Sequence, residues 1–185
     1  MKKYQNIQEQ IVITKLDEGA RSQVQKNWDM VAKPLDGMGL FEKLVSKIGA
    51  ITGESQIHLE KKAVLVMCAD NGIVEEGISQ SGQEVTAAVA KEMTKGLSSV
   101  GKMAASIGTD VIPIDIGINT REVIPGLLPR SVRKGTRNFR KEPAMTPEEA
   151  WQAIHTGIGL VAEYKEKGYQ ILATGEMGIG NTTTS

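Results

Sequence analysis

The stretch Ala63-Val-Leu-Val-Met-Cys68 decides the fold, because six consecutive apolar residues are typical of a strand covered on both faces of a parallel sheet. Two further apolar runs, residues 111–116 and 170–174, have the same character. The second run contains Pro113, which cannot donate to a neighbouring strand and therefore indicates an edge position or the start of a strand. The sequence predicts an α/β protein with three parallel strands.

Helical periodicity fills the chain between these runs. Residues 84–95 and 98–107 follow the first strand. The clearest helix begins at Thr146, which forms a capping box with Glu149. Its apolar residues recur on one stripe: Trp151, Ile154, Ile158 and Val161. Right-handed crossovers place helices on the faces of a parallel sheet, so we predict a three-layer, Rossmann-like α/β fold.

A small helical part is predicted ahead of the sheet. Residues 7–32 and 40–51 show helical spacing, and the second range places three apolar side chains on one face: Leu44, Ile48 and Ile51. We assign residues 1–55 to an N-terminal helical segment and residues 56–185 to the first part of an α/β nucleotide-binding domain. Residues 119–142 contain seven Arg or Lys and are predicted to be loop.

The composition argues against several classes of function. The 185 residues include 22 Lys or Arg and 22 Asp or Glu, so no broad charge favours nucleic acid or an anionic membrane. No stretch approaches the roughly 20 apolar residues of a membrane span. Cys68 is the single cysteine, which excludes an internal disulfide. We expect a soluble cytoplasmic protein that binds a small molecule, with neither nucleic acid nor membrane as partner.

The residues after each strand are the candidates for a site, because ligands of parallel sheets bind beyond the carboxyl ends of the strands. Asp70-Asn71-Gly72 and the polar turn that follows form either part of a pocket or a solvated Asx turn. Gly175-Glu-Met-Gly-Ile-Gly180, with the hydroxyl-rich residues after it, is either a phosphate cradle or a flexible connection. It matches neither the dinucleotide fingerprint nor a Walker loop.

The two histidines give no indication of metal chemistry. His58 lies in a polar linker and His155 in the middle of the long predicted helix, where surface or packing roles are commoner than catalysis. No Cys/His cluster has the spacing of metal ligands. We therefore predict neither a metal site nor a cofactor.

Several stretches, taken together and in this order, carry a resemblance that none would carry alone. They are residues 62–77 with Ser81 and Val85-Thr86, and residues 93–96, 114–118, 125–126 and 175–183. They resemble nicotinate-nucleotide:dimethylbenzimidazole phosphoribosyltransferases over nearly all of the chain from Lys33 onward. Asn71 is a departure, since the family usually has histidine there, and Lys33-Pro-Leu-Asp-Gly-Met-Gly39 departs from the family's Lys-Pro-Pro-Gly-Ser-Leu-Gly turn.

The resemblance implies a pentosyltransferase that moves ribose 5-phosphate from nicotinate mononucleotide to 5,6-dimethylbenzimidazole in assembly of the cobalamin nucleotide loop. A ring nitrogen of the base attacks ribose C1′, and nicotinate leaves with inversion to give α-ribazole 5′-phosphate. The resemblance places Ser81 and Met177 in the slot for the base and Glu176 at the reacting region as a supporting catalytic group. It places five residues around the phosphate: Gly178, Gly180, Asn181, Thr182 and Thr183.

The resemblance also bears on completeness. It implies that the general-base glutamate and further phosphate-binding residues lie in a second half that this chain lacks. We therefore expect a truncated domain, with Ser185 at the point where the phosphate loop should enter a helix, and no activity from the chain alone. It further implies a homodimer.

Two alternatives remain open at the level of sequence. A phosphoribosyltransferase that uses phosphoribosyl pyrophosphate and magnesium would carry paired acidic residues and a Thr/Gly phosphate loop in one contiguous motif, which the chain does not contain. A non-catalytic nucleotide-binding or regulatory fragment belongs to a different class of function. A turnover assay separates an enzyme from a non-catalytic binding or regulatory fragment.

Overall fold

A computed structural model describes residues 12–185. The helices are α1 (Glu18–Asp29), α2 (Leu40–Thr52), α3 (Glu84–Thr94), α4 (Ser99–Ser106), α5 (Pro147–Glu166) and α6 (Asn181–Thr184). The strands are β1 (Lys62–Ala69), β2 (Thr109–Gly117), β3 (Leu128–Pro129) and β4 (Ile171–Met177). Two compact units divide the chain between Leu59 and Glu60. The helical pattern predicted from residue 7 begins outside the described residues.

In the first unit, α1 and α2 form a helical pair whose contact surface is partly polar. Glu42 of α2 is fully buried, where it accepts the Met38 N–H at 2.8 Å and pairs with Lys33 at 2.8 Å. Its hydrogen bond with the Lys33 ammonium holds the pKa of the Glu42 carboxyl below its ordinary value. The apolar residues Leu44 and Ile51 of the same helix are exposed. The helical period was predicted correctly, but the residues that α2 buries are Glu42, Ser46, Gly49 and Ala50, and of the predicted apolar face only Ile48 is half-buried.

In the second unit, four parallel strands form one sheet in the order β3-β2-β1-β4. Leu65 of the central strand β1 pairs with Ile112 of β2 and with Thr174 of β4. The three predicted strands correspond to β1, β2 and β4, so the parallel α/β class is confirmed. The fourth strand, β3, lies inside residues 119–142, which the sequence analysis treats as loop.

Hydrophobic clusters lie on both faces of this sheet. One is covered by α3 and α4 and centres on Val66, Cys68, Ala90, Met93 and Ile118. The other is covered by α5 and centres on Leu65, Ile114, Leu160 and Tyr164. Successive residues of a strand point to opposite faces, which is why Val66 and Leu65 belong to different clusters. The predicted three-layer arrangement is confirmed.

Pro113 lies within β2, at a position where its missing N–H leaves the sheet intact. Asp115 accepts the Arg130 N–H at 2.9 Å, so its backbone groups face the side of β3. Residues two apart in a strand direct their backbone groups to the same side, which places the Pro113 nitrogen there too. Since β3 pairs only with Ile114 and Asp115, Pro113 faces the open part of that edge.

The long helix α5 has the predicted N-terminus. The Glu149 N–H donates to Thr146 Oγ1 at 3.2 Å, and the Thr146 N–H donates to Glu149 Oε2 at 2.8 Å, which completes the capping box. The residues that α5 buries are Leu160 and Tyr164. The predicted stripe is exposed at three of its members: Ile154, Ile158 and Val161. Among residues 12–185, no helix is long and apolar enough to cross a membrane.

Candidate functional site at the carboxyl ends of the strands

The ends of β1, β2 and β4 lie at one edge of the sheet, where polar groups connect them. The Asp70 N–H donates to the Gly117 carbonyl at 3.0 Å, and the Asn119 N–H donates to Asp70 Oδ2 at 2.7 Å. Asp70 is only 1% exposed. Burial raises the pKa of its carboxyl, while the Asn119 N–H and the Thr86 hydroxyl oppose the rise. Asp70 therefore ties the first strand end to the second.

The loop that follows β4 packs tightly against the turn that follows β1. A Cβ atom on Gly178 would lie 2.1 Å from the Ala69 carbonyl oxygen and 2.9 Å from Asn71 Nδ2. At Gly180, φ is +86° and a Cβ atom would lie 2.8 Å from Val74 Cγ2. At position 178 only glycine avoids overlap with the Ala69 carbonyl oxygen. At position 180 glycine is favoured because it adopts a positive φ without strain. These two glycines are thus explained by packing within the protein.

Backbone N–H groups of this loop differ in whether they have a partner. Three donate inside the protein: Ile179 to Thr86 Oγ1 at 3.1 Å, Asn181 to the Gly178 carbonyl at 3.1 Å and Thr183 to the Gly180 carbonyl at 3.1 Å. Hydrogen bonds among residues 12–185 provide no protein acceptor for the N–H groups of Gly180 and Thr182. Those two donors are therefore ones that a bound anion could use.

The Asn71 side chain connects the loop to the other strand ends. Its Nδ2 donates to the Ile179 carbonyl at 3.1 Å, and its Oδ1 accepts the Thr184 hydroxyl at 3.2 Å. The Asn71 carbonyl accepts Gln83 Nε2 at 3.0 Å, and Gln83 Oε1 accepts Asn119 Nδ2 at 3.4 Å. One chain of neutral hydrogen bonds thus runs from the end of β2 to the loop after β4.

The basic segment, residues 119–142, lies against the turn that follows β1. The Gly72 N–H donates to Thr136 Oγ1 at 3.0 Å. Two ion pairs hold the short 3-10 turn Gly72–Glu76: Lys141 with Glu75 at 3.0 Å, and Arg140 with Glu76 at 2.8 Å. Two of the seven basic residues of this segment, Arg140 and Lys141, are therefore positioned beside the end of β1.

Two arginines of the segment bind the first turn of α5. Arg137 and Arg133 pair with Glu149 at 2.9 Å and 3.3 Å. The hydrogen bond from Arg137 and the Thr146 N–H lower the pKa of the Glu149 carboxyl to about 2. Between this segment and the turn after β1 lies an open pocket of about 290 Å³, whose lining includes Gly72, Gln83, Asn119, Arg133, Arg137 and Lys141.

Of the residues predicted for catalysis and base binding, Glu176 and Met177 end β4 on opposite faces of the sheet. Glu176 is exposed and accepts a hydrogen bond from Asn181 Nδ2. Met177 is half-buried and packs against the cluster that contains Cys68. The structure thus brings Glu176 and Asn181 together, while Met177 has a packing role at the sheet.

The remaining predicted residues have exposed side chains. Thr182 and Thr183 lie in α6, and the Thr182 hydroxyl donates to Asn181 Oδ1 at 3.3 Å. Ser81 lies in the turn before α3, where its N–H donates to Ser79 Oγ at 3.2 Å. The loop residues are therefore contiguous around Asn181, and Ser81 is held by a separate local turn.

No site role was predicted for Thr86, Gln83 or Asn119, although all three connect the strand ends and Thr86 belongs to the stretches that carry the resemblance. For Asn119 a signal exists, because it is the second residue after β2. For Thr86 and Gln83 the local pattern gives none, since a threonine near the start of a helix and a glutamine before it are ordinary, and only the resemblance draws attention to Thr86. Their role depends on which loop packs above them.

Cys68 is fully buried in the core, and burial raises the pKa of its thiol to about 12. A thiol with so high a pKa stays protonated and unreactive at neutral pH. Among residues 12–185, no group of three or more His, Cys, Asp and Glu side chains is arranged to hold a metal ion.

Comparison of sequences places this chain among known proteins. A profile of the family described as phosphoribosyltransferase matches residues 13–185. The nicotinate-nucleotide–dimethylbenzimidazole phosphoribosyltransferase of Acetivibrio thermocellus is 47% identical over 162 residues, which are 88% of this chain and 46% of that protein. The enzyme of the same name from Ruminiclostridium cellulolyticum is 42% identical over 173 residues, 94% of this chain and 49% of that one. The chain thus spans about half the length of the curated relatives it matches.

A comparison of structures gives the same result. The crystal structure of the nicotinate-nucleotide–dimethylbenzimidazole phosphoribosyltransferase from Thermus thermophilus superposes with a TM-score of 0.83 and 36% sequence identity. The superposition covers 91% of this chain and 51% of the Thermus chain. The fold and the sequence therefore agree on one family.

Proposed function

Because this chain belongs to the family of nicotinate-nucleotide–dimethylbenzimidazole phosphoribosyltransferases, we propose that the whole protein transfers ribose 5-phosphate from nicotinate mononucleotide to 5,6-dimethylbenzimidazole. The products would be nicotinate and α-ribazole 5′-phosphate, for the nucleotide loop of cobalamin. The observation that carries this proposal is the loop after β4. It is fixed at the strand ends and leaves two N–H donors, on Gly180 and Thr182, without a protein acceptor among the described residues.

In this proposal the loop binds the phosphate of the nucleotide. The N–H groups of Gly180 and Thr182 donate to phosphate oxygens, and the hydroxyls of Thr182 and Thr183 are exposed where they can add to them. Asn181 contributes by orienting the loop through its bond to Glu176. Gly178 contributes sterically, since any side chain there would displace the loop from the Ala69 carbonyl.

The reaction requires a ring nitrogen of the base to attack ribose C1′ while the pyridinium of nicotinate leaves. Glu176 is proposed to face this region as a supporting group, because its carboxylate lies at the start of the loop and is exposed. Ser81 and Met177 are proposed to line the slot for the base. The general base that removes the proton from the benzimidazole is assigned to a part of the whole protein outside this chain.

Organisation and cellular context complete the proposal. We propose residues 1–55 as a helical segment and residues 56–185 as the first part of the nucleotide-binding domain. The protein would act as a homodimer in the cytoplasm. The apolar side chains that α2 exposes, including Leu44 and Ile51, support contact of this helix with another protein surface. The balanced charge and single cysteine support the compartment.

Release of nicotinate by the whole protein tests the function. With nicotinate mononucleotide and 5,6-dimethylbenzimidazole we expect turnover that persists in excess EDTA, because a pyridinium leaving group needs no metal to neutralise it. The riboside that lacks the phosphate should react with kcat/KM lower by at least about a hundredfold, since it forfeits two charge-assisted hydrogen bonds. Glu176→Gln should lower kcat more than it weakens nucleotide binding.

Three outcomes would contradict the proposal. Equal kcat/KM for the nucleotide and the riboside would show that binding of the phosphate by this loop does not contribute to the reaction. Activity that is lost in EDTA and restored by magnesium with phosphoribosyl pyrophosphate would favour the metal-dependent alternative. Binding of the nucleotide without any release of nicotinate by the whole protein would favour the non-catalytic one.

A further inference from the structure

Ile179 lies in the loop after β4. Its backbone N–H and its backbone carbonyl are both hydrogen-bonded to side chains from elsewhere in the chain. The Ile179 N–H donates to Thr86 Oγ1 at 3.1 Å, and the Ile179 carbonyl accepts Asn71 Nδ2 at 3.1 Å. The two side chains come from different elements, since Thr86 lies in α3 and Asn71 follows β1. Ile179 is therefore held from two sides, directly before Gly180.

Each of the two side chains is itself fixed. Thr86 has no solvent-exposed surface and lies in the first turn of α3, so its hydroxyl position is set by the helix. The backbone of Asn71 is held by Gln83 Nε2 at 3.0 Å, and its Oδ1 accepts the Thr184 hydroxyl at 3.2 Å. Thr86 therefore imposes its geometry on the loop, while Asn71, held through its backbone by Gln83, bonds both the loop and the helix Asn181–Thr184 that continues it.

We propose that Thr86 and Asn71 are positioning residues for the nucleotide phosphate: they clamp the Ile179 peptide groups and thereby orient the adjacent Gly180 N–H towards the anion. This inference rests on the proposed function for the identity of the anion. The clamp itself rests only on the geometry of the two hydrogen bonds. Neither residue would touch the reacting atoms.

The neutrality of the clamp suits this task. The threonine hydroxyl and the asparagine amide can bond an N–H and a carbonyl without bringing a negative charge near the phosphate. The nearby carboxylate of Asp70 accepts the Asn119 N–H at 2.7 Å through Oδ2 and is also a hydrogen-bond partner of the Thr86 hydroxyl, whose oxygen remains free to accept the Ile179 N–H. An Asp in place of Asn71 would lose the donor to Ile179 and, when ionised, would repel the anion.

The first variant in the whole protein is Thr86→Val, which keeps the side-chain shape and removes the hydroxyl that accepts the Ile179 N–H and acts on the Asp70 carboxyl. We expect about a tenfold rise in KM for nicotinate mononucleotide with kcat changed by less than about twofold, because a buried donor is left unpaired and phosphate binding is the same before and during the reaction. Thr86→Ser should restore the parent KM. The matched control is Thr156→Val, a threonine whose hydroxyl bonds only its own helix, and its KM should stay at the parent value.

Asn71→Asp provides a second variant at a residue that is only half-buried. It should also raise KM with little change in kcat, and the rise should diminish at pH values low enough to protonate the new carboxyl. In both variants, hydrogen exchange of the Ile179 and Gly180 amides should quicken. Acceleration confined to this loop would show that the fold is retained.

The outcomes separate the clamp from the function. An active parent with unchanged KM in Thr86→Val and in Asn71→Asp would overturn the inference while leaving the function intact. A parent that releases no nicotinate would refute the proposed function. Amide exchange would then decide the clamp alone, and unchanged exchange of Ile179 in Thr86→Val would overturn it.

Discussion

Two neighbouring loops at the strand ends are held in place by opposite kinds of chemistry. The 3-10 turn after β1 is fixed by ion pairs, since Glu75 binds Lys141 and Glu76 binds Arg140. The loop after β4 is fixed by close backbone packing and by the neutral side chains of Thr86 and Asn71. The turn after β1 is thus held by ion pairs between side chains, whereas in the loop after β4 the one described carboxylate contact is that of Glu176 with Asn181.

The difference has consequences for solution behaviour. Exposed ion pairs weaken as salt screens them, whereas hydrogen bonds between neutral buried groups are affected much less. Hydrogen bonds from Lys141 and from Asn138 lower the pKa of the Glu75 and Glu76 carboxyls, respectively. A carboxyl whose pKa is lower in the folded state stabilises the fold above its unfolded pKa, and that stabilisation is lost as pH falls. The turn after β1 should therefore loosen in acid before the loop after β4 does.

The largest effect is expected at the packed loop. Gly178→Ala should lower the free energy of unfolding by about 1–3 kcal/mol, because the new Cβ atom would overlap the Ala69 carbonyl oxygen and neither backbone can yield easily. Urea unfolding followed by circular dichroism would measure it. The matched control is Gly157→Ala inside α5, where a Cβ atom meets nothing within 4 Å and helix propensity should add up to about 1 kcal/mol. Equal stability of Gly178→Ala and the parent would show that the loop is not packed against β1.

An intermediate effect is expected at Glu149, the residue that joins the basic segment to α5. Glu149→Gln removes the partner of Arg133 and Arg137 and should lower the melting temperature at pH 7. The pKa of the Glu149 carboxyl is about 2 in the folded protein and near 4.5 in the unfolded protein. The extra stability of the parent over Glu149→Gln should therefore be lost as pH falls from about 4.5 to about 2. Melting curves across that range would therefore converge.

Glu148→Gln is the control for this prediction. It makes the same change of charge in the same helical turn, at an exposed side chain. Its melting temperature should stay closer to that of the parent throughout the pH range. A pH-independent gap between the parent and Glu149→Gln would indicate that packing of the side chain matters more than its charge.

The smallest effect is expected at the exposed pair of Lys141 and Glu75, whose side chains are 63% and 61% accessible. Lys141→Gln should reduce stability slightly in low salt and not at all in 1 M NaCl, where the screening length is about 3 Å. The loss caused by Thr86→Val should be the same in both buffers. Thermal melts of the two variants at low and high salt would measure the contrast, and a Thr86→Val effect that disappeared in salt would break the distinction between the loops.

Some expectations from the sequence failed where burial had to be assigned. The stripe on α5 has the predicted period, but Ile154, Ile158 and Val161 are exposed while Leu160 and Tyr164 are buried. On α2 the apolar face is likewise exposed, and Glu42 is buried. Periodicity shows which residues share a face of a helix. It does not show which other element covers that face.

The glycine-rich loop illustrates a different limit. Sequence reasoning treated Gly178 and Gly180 as phosphate-binding glycines or as flexible residues. The contacts with Ala69 and Val74 give both a structural explanation that composition could not supply. Among the described residues the Gly180 N–H has no protein acceptor, whereas the N–H groups on either side of it, of Ile179 and Asn181, donate inside the protein.

The sequence by itself determined the long helices, the three main strands and the class of fold, but not the short strand β3. Uninterrupted apolar runs specify buried parallel strands, and capping residues with a period near 3.6 specify helices, because both signals are local. Only the tertiary structure decided which residues meet at the carboxyl ends of the strands. Asn71 and Thr86 meet Ile179 across separations of 108 and 93 residues, and such pairs depend on the stacking of strand ends, which no local pattern encodes.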